Sequence, residues 1–134
     1  MESLRKHGCQ IWGQSAETVT IKITTLQKKA VRIMTFADFR AHASSIFKEL
    51  DILKVADNIS LLNCLFVHDY FNGNLPKSFD NTFVKIQDIH SFATRSAING
   101  SLVLPSLNST RYGLKLINRL CINSWNSITK AQKT

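Results

Sequence analysis

The sequence predicts a mainly α-helical fold: a small helical domain with a central buried helix and a long irregular segment. Three observations predict it. An amphipathic stretch runs from Glu17 to about Met34, and a second stretch from Lys54 to Phe71 is apolar almost all round. Lys85 to Arg111, by contrast, has poor periodicity and carries Gly100, Pro105 and many Ser, Thr and Asn residues. Apolar residues recurring on a 3.6-residue period mark a helix, and helix that is apolar on every side marks a buried one. A chain of 134 residues with 44% apolar content and two prolines can bury one core, so it is read as one domain or part of one.

The elements follow in order. Gly8-Cys9-Gln10-Ile11-Trp12-Gly13 is short, apolar and bracketed by glycine; it reads as the remnant of an element that needs upstream neighbours to bury Trp12. Ser15 is placed to cap the first helix, with Glu17 in its first turn. At about 100° per residue, Val19, Ile23, Leu26, Ala30, Ile33 and Met34 share one arc, which is expected to face a core. Lys22, Lys28, Lys29 and Arg32 gather on a neighbouring arc. Phe36 to Ser45 is expected to connect, and Ile46, Phe47 and Leu50 suit a short helix ending before Asp51. In the next element Val55, Ile59, Leu62, Phe66 and Tyr70 form one face, while Leu61, Cys64, Leu65 and Phe71 populate the other. Asn72-Gly73-Asn74 stops it, Pro76 punctuates, and Phe79 and Phe83 fit a helical turn packing back on the core. Leu102-Val103-Leu104 is a candidate extended segment. Leu116, Leu120 and Trp125 have roughly helical spacing, but the β-branched content of Tyr112 to Ile128 keeps a short strand pair near the C-terminus open.

Charge narrows the partners. Seventeen bases against nine acids give a formal net charge of +8, which favours ligands with clustered phosphates through long-range attraction and counterion release. Three widely spaced cysteines, Cys9, Cys64 and Cys121, make no disulfide framework, so a reducing compartment is expected. Met1 to Ser15 has no apolar run suited to a signal peptide. The most apolar window, Ile59 to Val67, falls well short of the roughly 20 residues that span a bilayer. The expectation is an intracellular protein, cytoplasmic or nuclear and not secreted, with no membrane association, no cofactor and no small-molecule substrate.

No complete catalytic set is visible. Phe36-Ala37-Asp38 begins like the aromatic-Ala-Asp-Asp box of polymerases, but Phe39 stands where the second carboxylate would hold a metal, so the segment reads as a connecting loop. Cys64 and His68 are spaced i, i+4, yet His7, His42, His90, Cys9 and Cys121 supply no partner spacing for a four-ligand zinc site. A buried thiol and a partly exposed imidazole is the better reading. His90-Ser91-Phe92-Ala93-Thr94-Arg95 has two readings. Its side chains satisfy the backbone of an irregular loop, or His90, Thr94 and Arg95 contact phosphate with Phe92 offering a stacking face. For Lys22, Lys28, Lys29 and Arg32 overall charge and local clustering agree, which favours a phosphate-binding face. Arg95, Arg111 and Lys115 are candidate additions.

One set of motifs occurs in a familiar order: Gly8-Cys9-Gln10-Ile11-Trp12-Gly13, Leu26 to Met34, Leu75-Pro76 with Phe79, His90 with Thr94-Arg95, Tyr112-Gly113 and Trp125-Asn126. In this the chain resembles the region carboxy-terminal to the catalytic core in reverse transcriptases of non-LTR (LINE-type) retrotransposons, of the jockey-like and chicken-repeat-like sort, over almost its whole length. The resemblance implies the thumb and C-terminal extension that follow the polymerase palm, with residues 1–13 the remnant of an upstream thumb element. It also implies a grip on template RNA and target DNA without catalysis, and the remainder of a reverse transcriptase as a partner. The family's pattern continues past the Trp-Asn pair with another basic segment, which implies a fragment or decayed copy of the element, a relic without selected function among the readings. The alternative from another class is a protein-interaction module anchored by Leu4, Ile11 and Trp12.

Overall fold

The computed structural model describes residues 17–106 and 117–128. Leu4, Cys9, Ile11, Trp12, Ser15, Arg111, Tyr112, Gly113 and Lys115 lie outside the described residues. Among those described the chain is mainly helical, with α1 Glu17–Met34, α2 Ala43–Glu49, α3 Val55–Phe71, a 3₁₀ turn Lys77–Phe79, α4 Ile86–Ile89, α5 Arg95–Ile98 and α6 Ile117–Ser127. They fall in two compact units, Met1–Ile59 and Ser60–Thr134.

The first unit packs α1 on α2 through a small core of Val31, Ala43, Ile46 and Phe47, with Ala37, Ala41, Leu50 and Ile52 half-buried around it. The first half of α1 is rich in Thr, Val and Ile, residues stiff at χ1 and mediocre helix formers. Its hydroxyls turn back on the helix, Thr24 Oγ1 donating to the Thr20 carbonyl at 2.8 Å and Thr25 Oγ1 to that of Ile21 at 2.9 Å. Gln27 ties the helix to the chain before α3: its Nε2 donates to the Leu53 carbonyl at 2.8 Å and its Oε1 accepts from the Val55 amide at 3.0 Å. One side-chain amide thus anchors a loop and satisfies an amide of the first turn of α3 that has no helical partner.

The arc expected to face a core is not the buried one. On α1 only Val31 is buried among the described side chains, at 2% exposure, whereas Val19, Leu26, Ile33 and Met34 are exposed and Ala30 with them. Hydrophobic periodicity locates an apolar stripe, but what covers it depends on neighbours. Here α2 meets the side carrying Val31, where Ile23, Thr24 and Gln27 are half-buried.

The second unit is built around Val67, Phe83, Leu102, Cys121, Ile122 and Trp125. Aromatic rings of α3 and the segment after it meet edge to face: Phe66 with Phe79 at 5.4 Å and Tyr70 with Phe83 at 5.0 Å between centroids, the arrangement that ring quadrupoles favour. Lys85 Nζ sits 4.5 Å from the Phe71 ring centroid. Helix α3 is not encased: Leu62, Asn63 and Val67 are buried while Leu61, Leu65 and Phe71 are exposed. Lys85 to Arg111 is expected to be mostly irregular, and among its described residues the regular elements are two single helical turns, α4 and α5. Four-residue helices carry too little periodicity to announce themselves.

The C-terminal stretch is helical over Ile117–Ser127, and among the described residues strand pairing is limited to one antiparallel bridge between Lys85 and Leu102. Ile86 N donates to Ser101 O and Val103 N to Val84 O, which leaves the N–H and C=O of Leu102 facing the other way. Asn126 takes both, its Oδ1 accepting from Leu102 N at 2.8 Å and its Nδ2 donating to Leu102 O at 2.9 Å. Trp125 Nε1 donates to Gly100 O at 3.1 Å beside it. The Trp-Asn pair therefore stitches α6 to the extended segment as a neighbouring strand would.

Candidate nucleic-acid interface

Lys22, Lys28 and Lys29 project from α1 as exposed side chains and, with Arg32, occupy an arc of about 120° at 100° per residue. Among the described residues none of the three lysines has an ion-pair or hydrogen-bond partner. A favourable interaction with the helix dipole accounts for a base in the last turn, which is Arg32; it does not reach Lys22. Arg32 is half-buried and partly committed to structure, since its Nε donates to the Ala41 carbonyl at 3.0 Å. That bond fixes the guanidinium plane and leaves the Nη hydrogens for another acceptor.

Beside this arc lies a pocket of about 580 Å³ lined by Lys29, Arg32, Ile33, Phe36, Ala37 and Phe39. It is formed by the end of α1 and the turn that follows. Phe36 N donates to Ile33 O at 3.2 Å and Ala37 N to Arg32 O at 3.0 Å, the paired bonds of a Schellman motif, which needs a left-handed residue just past the helix. That residue is Phe36, at φ 52°. Asp38 closes the loop, its Oδ1 accepting from Arg40 N at 2.7 Å and its carbonyl from Ala41 N at 2.9 Å. Its carboxylate therefore serves a turn. Phe36 and Phe39 are 97% and 78% exposed. Neither was singled out as a binding residue by the sequence, although two phenylalanines in a polar loop directly after a basic helix were the available signal.

In the second unit the His90 to Arg95 cluster resolves residue by residue. Thr94 is the N-cap of α5, its Oγ1 accepting from Ala97 N at 3.3 Å, which is the structural alternative for that side chain. His90 follows α4, its amide bonding Ile86 O at 3.2 Å. His90, Phe92 and Arg95 are exposed. Cys64 is half-buried and His68 exposed beside Asp69, at 3.9 Å. Among the described residues no group of three or more His, Cys, Asp or Glu side chains is placed to hold a metal ion. Cys121 is fully buried, and desolvation, with the nearby Cys64 adding to it, pushes its thiol up to about 12. The thiol stays protonated and donates to Asn63 Oδ1 at 3.7 Å, while Asn63 Nδ2 reaches Ser124 Oγ at 3.4 Å. This polar group at the heart of the second core is structural.

No helix among the described residues is long and apolar enough to cross a membrane. Comparison of the chain with protein-family models, curated proteins and solved structures finds no match in any of the three.

Proposed function

We propose that this chain binds the phosphate backbone of RNA or DNA without catalysis, as part of the post-palm region of a non-LTR retrotransposon reverse transcriptase. The observation that carries the proposal is the arc of exposed lysines on α1, Lys22, Lys28 and Lys29, without ion-pair partners among the described residues, on a chain of net charge +8. From Lys22 to Arg32 the helix rises about 15 Å, which matches about four phosphates of one strand at roughly 3.4 Å each. Contacts of this kind position a nucleic acid and carry no sequence information. Arg95, Arg111 and Lys115 extend the same reading, with exposed His90 as a further candidate; Thr94 is already used as a cap.

Fluorescence anisotropy across a salt series tests it. Wild type is expected to lose affinity steeply as salt rises, and Lys22→Gln, Lys28→Gln and Lys29→Gln together are expected to flatten the logarithmic slope for a single strand by about 2, three phosphates at roughly 0.7 each. An unchanged slope in the triple variant would sink the assignment.

A second reading is favoured by Val19, Leu26 and Ile33, exposed at intervals of seven residues along α1. Such a stripe is what a helix presents to a protein partner, here the remainder of a reverse transcriptase. Replacing the three by serine is expected to abolish co-purification with that partner and leave the salt slope on nucleic acid unchanged.

A further inference from the structure

We propose that the pocket between Phe36 and Phe39 takes one unpaired base of a single-stranded nucleic acid, with the adjoining phosphates held by Lys29 and Arg32. The proposal rests on the nucleic-acid reading above and deepens it, from a grip on any backbone to a preference for unpaired strand.

The first observation is the state of Phe36. A bulky residue in the left-handed region is strained, and a phenyl ring with 97% of its surface in water gains nothing from packing. Three other turns among the described residues have the same Schellman hydrogen bonds. Asp51, Gly73 and Gly100 occupy the left-handed place in them, at φ 51°, 70° and 61°, two glycines and an aspartate that tolerates it. Phe36 is the exception. Its backbone puts it in a conformation that glycine fills without strain, and its side chain does nothing for the fold, so both costs point to a contact outside the molecule.

The second observation is what surrounds it. Phe39 is also exposed on the same pocket, whose volume lies in the range of small-molecule sites. Aromatic faces beside cations are the combination by which proteins hold single strands, the rings stacking on bases and the cations tracking phosphates. Arg32 is held in place by Ala41, and the lysine arc leads away from the pocket along α1, so a strand with a base in the pocket has cations to follow. An acidic peptide would satisfy the cations but carries an aromatic plane only at occasional residues, whereas every nucleotide of a strand brings both a phosphate and a flat base. A duplex keeps its bases stacked inside and cannot supply one.

The test measures anisotropy of labelled 12-mers of oligouridine, oligothymidine and a duplex of equal length, against wild type, Phe36→Gly, Phe36→Trp and the triple lysine variant. Losing one stacked base lowers affinity by about 5- to 150-fold. Phe36→Gly is therefore expected to bind both single strands about that much more weakly, to bind the duplex as wild type does, and to keep the wild-type salt slope, because no cation is lost. Phe36→Trp is expected to retain single-strand affinity. Thermal unfolding serves as the control, since Phe36→Gly relieves strain and is expected to melt no lower than wild type. A 2-aminopurine within the strand is expected to be quenched by wild type and not by Phe36→Gly. Single-strand binding unaffected in Phe36→Gly overturns the pocket and leaves the phosphate grip standing, as does an equal loss for strand and duplex. No binding of wild type to any of the three at low salt overturns both, and capture of an acidic peptide in that case assigns the pocket to a protein partner.

Discussion

Phe36 is where local rule and observed residue part. A left-handed backbone costs a side-chain-bearing residue about 1–2 kcal/mol, and glycine gives back about 0.5–1 kcal/mol of that through its freedom in the unfolded chain. Phe36→Gly is thus expected to stabilise the protein by about 0.5–1 kcal/mol in urea unfolding, with Asp51→Gly giving less. At Cys121 the sign runs the other way with pH. The folded thiol is raised from 9.0 to about 12, so its contribution is complete below pH 9 and is lost as pH rises toward 12, where only the unfolded chain ionises. Melting temperature is expected to fall across that window, and less so in Cys121→Ala. At pH 8 Cys121 is expected to resist a thiol reagent until the protein unfolds. Neither residue's environment was legible in the sequence: Phe36 looked like loop, because a Schellman turn is announced by glycine, and the burial of Cys121 depends on contacts with a helix some 58 positions away.

At the scale of elements, two side-chain amides do work that a sheet or a longer core would otherwise do. Gln27 joins α1 to the start of α3, and Asn126 joins α6 to Leu102. Asn126→Ala leaves the N–H and C=O of a residue at 1% exposure without partners and is expected to cost about 2–6 kcal/mol, each orphaned group contributing roughly 1–3. Asn126→Asp is expected to cost as much, because it keeps the acceptor for Leu102 N but sets an oxygen against Leu102 O. Gln27→Ala, in a more exposed place, is expected to cost about 1 kcal/mol, all read by urea unfolding. The helices that sequence periodicity located, Glu17–Met34 and Val55–Phe71, are long enough to show a period. Ile86–Ile89 and Arg95–Ile98 are single turns held by a cap and by neighbours, and no period of 3.6 can appear in four residues. The basic arc of α1 was legible because charge needs no partner to be exposed. Its apolar arc was misread because periodicity cannot say which of two faces finds a neighbour.

At the scale of the whole molecule, two small cores share one chain. Val31, Ala43, Ile46 and Phe47 lie entirely before Ile59, and Val67, Phe83, Leu102, Cys121, Ile122 and Trp125 entirely after it. The first core is four buried side chains, none of them completely sealed, so the loss of one removes a large share of what holds α1 and α2 together. Phe47→Ala is expected to cost about 3–5 kcal/mol locally, which for so small a unit is enough to open it without opening the whole protein. Hydrogen exchange read by mass spectrometry is expected to show peptides from α1 and α2 exchanging much faster in Phe47→Ala, with peptides from α6 close to wild type. Equal acceleration throughout would mean that the two cores unfold as one. The same variant separates the two faces of α1 in function. Phosphate contacts draw on charges that a loosened α1 still carries, whereas the Phe36 pocket needs the turn whose Ala37 and Ala41 pack against the core that Phe47 belongs to. Phe47→Ala is accordingly expected to lose single-strand preference before it loses salt-dependent binding.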